Sequence, residues 1–239
     1  MNSVKPKRPP FDPRLAPRVA SRLVSDKSND QAQFAPLANT RLHPDALRQR
    51  FANPPLWTPE LTGDQFRFDD RPVAQAAVLV PIIMHGSAPS VLLTVRSAHL
   101  NDHAGQVAFP GGRRDETDAS FEATALREAF EEIGLHHHAV DILGQLPVYQ
   151  TGTGYAITPI VALVQAHPNL VLQASEVDEV FEVPLSFLMD PANHQQRAIQ
   201  VGEQERMFYA MPYLCRDKEF FVWGATAAII RNLYLFLRA

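Results

Sequence analysis

One stretch constrains this chain more than any other: residues 111–135, which read GGRRDETDASFEATALREAFEEIGL. Glu128, Glu131 and Glu132 stand at spacings i, i+3 and i+4, so on a helix they share one face. At 100° per residue they span about a third of a turn. The opposite side is then predicted to carry the apolar side chains of Ala123, Leu126, Phe130 and Ile133. Three neighbouring carboxylates repel one another, so the pattern does not serve stability alone.

Two interpretations of this face compete, a solvated charged surface and a site for a hard divalent cation. The second also accounts for the pair Gly111-Gly112 in front of the helix and for Arg127 inside the acidic cluster. Mg²⁺ prefers oxygen ligands and is usually bound by one or two carboxylates together with substrate phosphates. The sequence therefore predicts a metal-assisted site for a phosphorylated substrate.

Composition limits the class of partner. The chain has 239 residues, 46% of them hydrophobic, and a formal net charge of −4. Nucleic-acid-binding proteins usually carry an excess of Lys and Arg, whereas the net charge here is negative, so no nucleic-acid partner is expected. A polyanionic small molecule stays compatible, because a metal and a few arginines can supply positive charge locally.

Cysteine usage and hydropathy indicate the compartment. Cys215 is the single cysteine, so no intrachain disulfide can form and a reducing compartment is expected. The basic start of the chain is not followed by an apolar segment of the secretory type. The longest apolar run, Phe220–Ile230, is too short to span a bilayer. We therefore expect a cytoplasmic protein without a membrane partner.

Residues 1–70 differ from the rest and are predicted to be an extension, whereas residues 71–239 form the main domain. Prolines recur through the extension and break helices and ladders, so most of it is expected to be irregular. One short helix is predicted at His43–Phe51, with Pro44 in its first turn. We expect the extension to pack on the main domain or on a partner.

The main domain mixes predicted strands with few helices. Ser97–Phe109 is expected to be a long irregular loop. The glutamate helix is predicted from about Ala119 to Ile133, with Thr117 or Asp118 as the N-cap and Gly134 as the stop. Apolar or β-branched runs predict strands at residues 77–84, 91–96, 142–146, 157–163 and 176–183, and a strand or hairpin at 198–211.

These residues carry a resemblance. Gly112, followed by Arg127-Glu128-Ala129-Phe130-Glu131-Glu132-Ile133-Gly134-Leu135, resembles the Nudix box of hydrolases that act on nucleoside diphosphates linked to another moiety. The spacing from glycine to arginine is one residue longer here than the usual pattern. The acidic residue expected between them is Asp115, Glu116 or Asp118.

The extra residue and an upstream segment point to one subfamily. Leu92 to Ser97, Leu100, His103, Gly105-Gln106 and Phe109-Pro110-Gly111-Gly112 resemble the segment that marks coenzyme A pyrophosphatases. The sequence departs from that pattern at Asn101, where many members carry arginine, which puts one phosphate contact in doubt. The resemblance runs from about Ala74 to Ala239 and leaves the extension outside it.

The resemblance implies an α/β Nudix fold, a mixed β-sheet in an α/β/α sandwich. It implies Glu128 and Glu132 as ligands of Mg²⁺ or Mn²⁺, with Glu131 assisting. Arg127 would orient the cluster through an ion pair with an upstream acid; the alternative is an ordinary surface arginine. The general base is a box glutamate or Glu176, whose alternative is a plain acidic residue before a strand.

Substrate contacts are implied less directly. Gly111 and Gly112 would expose amides near phosphate, although a glycine pair is also a common turn. Arg96 would reach a phosphate of coenzyme A or form a strand-end salt bridge. His103 and Tyr155 are candidate substrate contacts, and Tyr155 is equally compatible with a core position.

The expected reaction is hydrolysis of coenzyme A or acyl-CoA to adenosine 3′,5′-bisphosphate and (acyl-)4′-phosphopantetheine. Alternatives are hydrolysis of another nucleoside diphosphate derivative, such as NADH or ADP-ribose, or a non-catalytic binding module. Such a module would be expected to lose the box glutamates, and all three are present. A homodimer is one implied assembly, although no residue demonstrates it.

Overall fold

The computed structural model describes residues 12–19, 34–64, 72–86, 88–100, 103–201 and 204–239. Its helices are α1 (Asn39–Leu42), α2 (Pro44–Ala52), α3 (Phe121–Ile133), α4 (Leu185–Leu188) and α5 (Gly224–Arg238). Its strands are β1 (Ala74–Ile83), β2 (Ser90–Arg96), β3 (Val107–Ala108), β4 (Gly111–Arg113), β5 (Val140–Gln145), β6 (Tyr149–Gln150), β7 (Tyr155–Val164), β8 (Val177–Pro184), β9 (Gln195–Val201), β10 (Gln204–Cys215) and β11 (Lys218–Trp223). Among the described residues, no helix is both long and apolar enough to cross a bilayer.

The described strands form two sheets. The larger is mixed and follows the order β3-β2-β1-β7-β5, with β4 paired to β1, β6 to β7 and β8 to β2. Its centre is the parallel pair β1–β7, which runs from Ala74↔Tyr155 to Ile83↔Val164. The smaller sheet is antiparallel in the order β11-β10-β9.

The central strand β1 is buried on both faces, as its continuous apolar run predicts. Because side chains alternate along a strand, Ala77, Leu79 and Ile83 face one core and Val80 and Ile82 face the other. The first core is covered by α3, which contributes Ala125, Ala129 and Ile133. The second core includes side chains of α2 and α5, such as Leu47, Leu233 and Tyr234. The predicted sheet between helices is confirmed.

Helix α3 starts later than predicted. Its N-cap is Ser120, whose Oγ accepts a hydrogen bond from the amide of Ala123 at 3.2 Å, and not Thr117 or Asp118. Asp118 cannot cap because its carboxylate accepts hydrogen bonds from Arg127 and Thr124. The stop at Gly134 is confirmed: this residue adopts φ 68° and ends the helix in the left-handed conformation that glycine tolerates.

Two further expectations require correction. Residues 97–109 are not wholly irregular, because Val107–Ala108 pairs with β2 through Val95↔Val107 and Thr94↔Ala108. The spacing predicts Phe130 on the apolar side of α3, yet it is 49% exposed, whereas Glu132 is only 3% exposed. The buried stripe of α3 therefore includes one of the three glutamates.

The described part of the extension packs on the main domain. Leu47 of α2 is buried in the core beneath α5. The rings of Phe51 and Trp57 lie 4.7 and 5.5 Å from the ring of Phe236, measured between centroids. Glu60 forms an ion pair with Arg231 at 2.8 Å. The division of the chain near residue 70 stays a prediction.

His194, between α4 and β9, is a buried histidine held in its neutral form. Its Nε2 lies 2.7 Å from the carbonyl oxygen of Leu188, so Nε2 carries the proton and donates it. Its Nδ1 lies 3.4 Å from a guanidinium nitrogen of Arg231 and accepts there. Burial lowers the pKa of His194 to about 4, and the charge of Arg231 acts in the same direction.

This histidine predicts a loss of stability in acid. The unfolded chain binds its proton near pH 6.5 and the folded chain only near pH 4, so the free energy of unfolding falls as pH is lowered between these values. The loss attributable to His194 reaches about 3 kcal/mol near pH 4. We expect the stability advantage of the native protein over His194→Gln to shrink as pH drops from 7.5 to 5, measured by urea unfolding. Exposed His138→Gln is the control, and an advantage that does not change with pH would contradict the assignment.

Candidate active site

Helix α3 places two glutamates against the glycine pair of β4. The amide of Gly111 donates a hydrogen bond to Oε2 of Glu132 at 3.0 Å. A Cβ atom on Gly112 would lie 2.5 Å from the carboxylate of Glu128, closer than real contacts allow. A Cβ on Gly111 would lie 2.4 Å from the carbonyl oxygen of Ala77. The absence of a side chain at Gly112 therefore leaves room for the carboxylate of Glu128, and its absence at Gly111 lets β4 pair with β1.

Glu132 is the most deeply buried of the three box glutamates. Burial raises the pKa of its carboxyl to about 7, because the charged form loses its hydration. The amide of Gly111 and the guanidinium of Arg96 oppose this shift, whereas the carboxylates of Glu128 and Glu176 add to it. Arg96, at the end of β2, lies 3.6 Å from Oε1 of Glu132, so the strand-end salt bridge considered for Arg96 is present.

Glu128 lies beside Glu132 and is partly shielded from solvent. Burial raises the pKa of Glu128, the neighbouring charge of Arg127 lowers it, and the charges of Glu131 and Glu176 raise it again. Two carboxylates with raised pKa values in one place form a negative centre that the protein only partly neutralises. This is the electrostatic environment that a cation would stabilise.

Arg127 connects the helix to the loop before it. Its Nε and Nη2 donate to the two carboxylate oxygens of Asp118, each at 3.0 Å. The same guanidinium reaches Glu128 at 2.9 Å and Glu131 at 2.8 Å. Of the three upstream acids considered, Asp118 is thus the partner, and Arg127 holds the pKa of this carboxyl well below its usual range.

Glu131 is separated from the buried pair. Its side chain is 53% exposed and is held by Arg127, one turn earlier on the helix. The shared helical face therefore divides into a buried part, with Glu128 and Glu132, and a solvent-exposed part. The role of Glu131 as an assisting ligand stays a prediction.

Glu176, just before β8, lies in the same region as the box glutamates. Its carbonyl oxygen accepts from the amide of Ser97 at 2.8 Å, which joins the start of β8 to the end of β2. Its carboxylate is near enough to raise the pKa of both Glu128 and Glu132. The structure therefore brings Glu176 together with the box glutamates, although the two segments are far apart in sequence.

The donors suit a hard divalent cation in chemistry, because they are clustered carboxylate oxygens. Within the described ranges, however, no group of three or more His, Cys, Asp or Glu side chains is arranged so that it could hold a metal ion. Arg127 and Arg96 occupy the faces of Glu128 and Glu132 instead. A cation would compete with these arginines for the same oxygens.

The remaining predicted contacts lie outside the glutamate cluster. In the described part of the chain, neither His103 nor Tyr155 forms a hydrogen bond or ion pair with Glu128, Glu131 or Glu132. Nδ1 of His103 lies 2.9 Å from Oε1 of Gln106, and Tyr155 is 39% exposed at the start of β7. Asn101 lies outside the described residues.

Sequence reasoning missed two supporting residues. Thr124 donates to the carboxylate of Asp118 at 2.9 Å and so helps to hold the partner of Arg127. Ser97 is fully buried and links Glu176 to β2 through its amide. The spacing from Asp118 to Thr124 and Arg127 could have suggested the first contact, since Thr124 and Arg127 are neighbours on the helix surface. No local pattern indicates the second.

Known proteins resemble this chain. A profile described as the NUDIX domain matches residues 73–202. A relative from Escherichia coli O1:K1, named “Uncharacterized Nudix hydrolase NudL”, is 46% identical over 164 residues, which cover 67% of this chain and 81% of the relative. A relative of the same name from Shigella boydii serotype 18 has the same identity and coverage. Among solved structures, the MutT protein from Methanosarcina mazei Go1 is 24% identical with a TM-score of 0.40, covering 51% of this chain and 83% of that one.

We expect the ion pair between Arg127 and Asp118 to contribute more to the free energy of unfolding than an exposed pair does. Asp118→Asn removes the charge beside a guanidinium that is 30% exposed, and we expect a loss of about 2 kcal/mol in the free energy of unfolding. Asp141→Asn is the matched control, because its pair with Arg48 is mostly exposed and is expected to contribute about 0.5 kcal/mol or less. Urea unfolding at neutral pH measures both, and equal losses would contradict a special role for Asp118.

Proposed function

The chain belongs to the Nudix family, and from this premise we propose that it hydrolyses the pyrophosphate bond of coenzyme A and of CoA thioesters. At the coarser level it is a hydrolase of nucleoside diphosphate derivatives. The products proposed here are adenosine 3′,5′-bisphosphate and 4′-phosphopantetheine or its acyl form. The alternatives, another nucleotide derivative or a non-catalytic binding module, are outcomes of the test below.

One observation carries the choice of coenzyme A. The segment from Leu92 to Gly112 resembles that of the CoA pyrophosphatases. It contacts the carboxylate site near both ends of the segment. Arg96 pairs with Glu132, and the amide of Gly111 donates to the same carboxylate. The features that suggest coenzyme A and the features that suggest hydrolysis therefore belong to one site.

The side chains of the site have separate proposed roles. Glu128 and Glu132 would hold Mg²⁺ or Mn²⁺, with Glu131 assisting. A bound divalent cation supplies positive charge next to the diphosphate oxygens. Arg127 fixes the rotamer of Glu128 through its own bidentate pair with Asp118. Arg96 offers further positive charge to phosphate oxygens, whereas the amide of Gly111, expected from the sequence to face phosphate, donates to Glu132.

Glu176 is proposed as the general base. Water attacks phosphorus, its proton passes to the carboxylate of Glu176, and the bond between phosphorus and the bridging oxygen breaks. Glu128 and Glu132 cannot serve this purpose while they act as ligands. Burial is the main cause of the raised pKa of Glu128 and Glu132, and the charge of Glu176 adds to both, which supports a base at the edge of the same site.

Product analysis tests the reaction. Incubation with CoA and Mg²⁺ or Mn²⁺, followed by mass spectrometry, is expected to yield the two phosphorylated halves. In Glu132→Gln, we expect kcat to fall about 100-fold or more, because a buried ligand charge is lost. The fold should persist, since the amide oxygen of the substituted side chain still accepts from Gly111. Glu116→Gln, an exposed change in the same region, is expected to retain full activity. Turnover of NADH or ADP-ribose without cleavage of CoA would refute the choice of substrate.

A second prediction concerns the base. Glu176→Gln is expected to lower kcat by about 10²-fold to 10⁴-fold, the usual contribution of a positioned base. Glu131→Gln provides the comparison, because it alters an exposed box glutamate, and we expect it to lower kcat less. If Glu131→Gln lowers kcat by this much and Glu176→Gln does not, the proton leaves through the box.

A further inference from the structure

The extension reaches the main sheet through residues 62–64. The amide of Gln150 donates to the carbonyl oxygen of Thr62 at 3.0 Å, and the amide of Asp64 donates to the carbonyl oxygen of Gln150 at 2.8 Å. Gly63 and Gln150 thereby form a short parallel bridge beside β6. This contact aligns the side chain of Asp64 with the segment that follows β6.

The carboxylate of Asp64 is buried and has three partners. Oδ1 accepts from the hydroxyl of Tyr149 at 2.8 Å, and Oδ2 accepts from the amide of Gly152 at 2.7 Å. Arg206 of β10 lies 2.9 Å from Oδ2, and the two charged side chains are 14% and 13% exposed. Burial and the charge of Asp64 raise the pKa of Tyr149, so this phenol stays protonated and remains a donor.

The segment held in this way is a closed turn, Thr151–Tyr155, which connects β6 to β7. The amide of Thr151 donates to the carbonyl oxygen of Tyr155 at 2.8 Å, and the amide of Tyr155 donates to Oγ1 of Thr151 at 3.0 Å. The carbonyl oxygen of Gly154 accepts from the amide of Ala74 at 2.8 Å. Because the turn is closed on itself, fixing Gly152 also fixes Tyr155.

The turn lies in the same sheet as β4, with β1 between them. Tyr155 pairs with Ala74 and Ala156 with Gln75, whose carbonyl oxygen accepts from the amide of Arg114, next to β4. Tyr155 pairs with Ala74, whereas Gly112 pairs with Ala77, so Tyr155 lies about 10 Å across the sheet and about 10 Å along it from Gly112, or about 14 Å in total. The carbonyl oxygen of Arg113 in β4 accepts from Arg127. A nucleotide derivative with its diphosphate at the glutamates would span this distance to contact Tyr155.

A buried ion pair adds little net stability, because the loss of hydration of both charges offsets their attraction. Replacing such a pair with apolar side chains is often neutral or stabilising, so its presence argues for a geometric role. Both charges also stand outside residues 73–202, the part that matches the NUDIX domain, with Asp64 before it and Arg206 after it. The clamp thus joins two segments that lie on either side of the matched domain.

We propose that Asp64 is a positioning residue that holds the Thr151–Tyr155 turn, and with it Tyr155, against the part of the substrate remote from the reacting phosphorus. The effect of Asp64 on substrate binding rests on the proposed hydrolysis. Its effect on the turn rests only on the described contacts. It assigns a function to the extension: the segment 62–64 shapes the substrate end of the site.

Amide hydrogen exchange tests the clamp without any substrate. In Asp64→Ala, exchange in the peptide that covers residues 150–155 is expected to accelerate about tenfold or more, because a hydrogen bond to a charged acceptor is lost. Asp64→Asn keeps an acceptor and should give a smaller acceleration. Asp141→Asn, which weakens a different tether between extension and sheet, is the control and should leave this peptide unchanged. Unchanged exchange in Asp64→Ala would overturn the clamp whatever the substrate is.

Kinetics test the link to substrate. For CoA we expect Asp64→Ala to raise KM about tenfold and to alter kcat by about twofold or less, the pattern of lost binding away from the reacting centre. Tyr155→Ala should raise KM similarly, and the double variant should raise it no further, because Asp64 acts through Tyr155. Multiplying effects, or a loss confined to kcat, would overturn the inference. Absence of CoA cleavage by the native protein would refute the proposed substrate, and the exchange measurement would still decide the clamp.

Discussion

The site depends on one energetically unfavourable feature, the burial of the Glu132 carboxylate against strand β4. Glu132 is accommodated because Gly111 supplies an amide and no side chain, and because Gly112 leaves room for Glu128 beside it. Burial separates these two glutamates from Glu131 and raises their pKa values. Two arginines compensate part of the negative charge: Arg96 of β2 contacts Glu132, and Arg127 of α3 contacts Glu128.

Two arginines supply positive charge to the carboxylate cluster in the described structure. Their guanidinium groups are permanently protonated and act only as hydrogen-bond donors. A divalent cation and a polyanionic substrate, bound as proposed, would replace these contacts and leave Arg96 and Arg127 free to bind elsewhere. Asp118 limits this freedom for Arg127, since two hydrogen bonds hold its guanidinium in one orientation. Arg96 has a single long contact with the cluster and is the less constrained of the two in this respect.

The periodic and local features could be predicted from the sequence. The glutamate helix, its stop at Gly134 and the buried strand β1 follow from spacing, glycine conformation and hydrophobic runs. The N-cap was not predictable, because Asp118 and Ser120 are equally suitable caps by type, and a contact with Arg127 diverts Asp118. The burial of Glu132 likewise depends on a strand that the helix meets only after folding. Hydrophobicity assigns Phe130 to the core, but α3 is rotated so that Glu128 and Glu132 face the sheet and Phe130 is exposed.

The contacts of the extension also bear on how the chain reaches its native state. Arg41 donates to the carbonyl oxygen of Leu237, 196 positions later, and Phe51 packs on Phe236. Closing so long a loop is entropically costly, and contacts of this separation slow folding. During synthesis α1 and α2 leave the ribosome long before α5, so their apolar faces stay uncovered until α5 has been made. The central sheet can assemble in the meantime, which makes docking of the extension a late event and the opening of this contact an early step in unfolding.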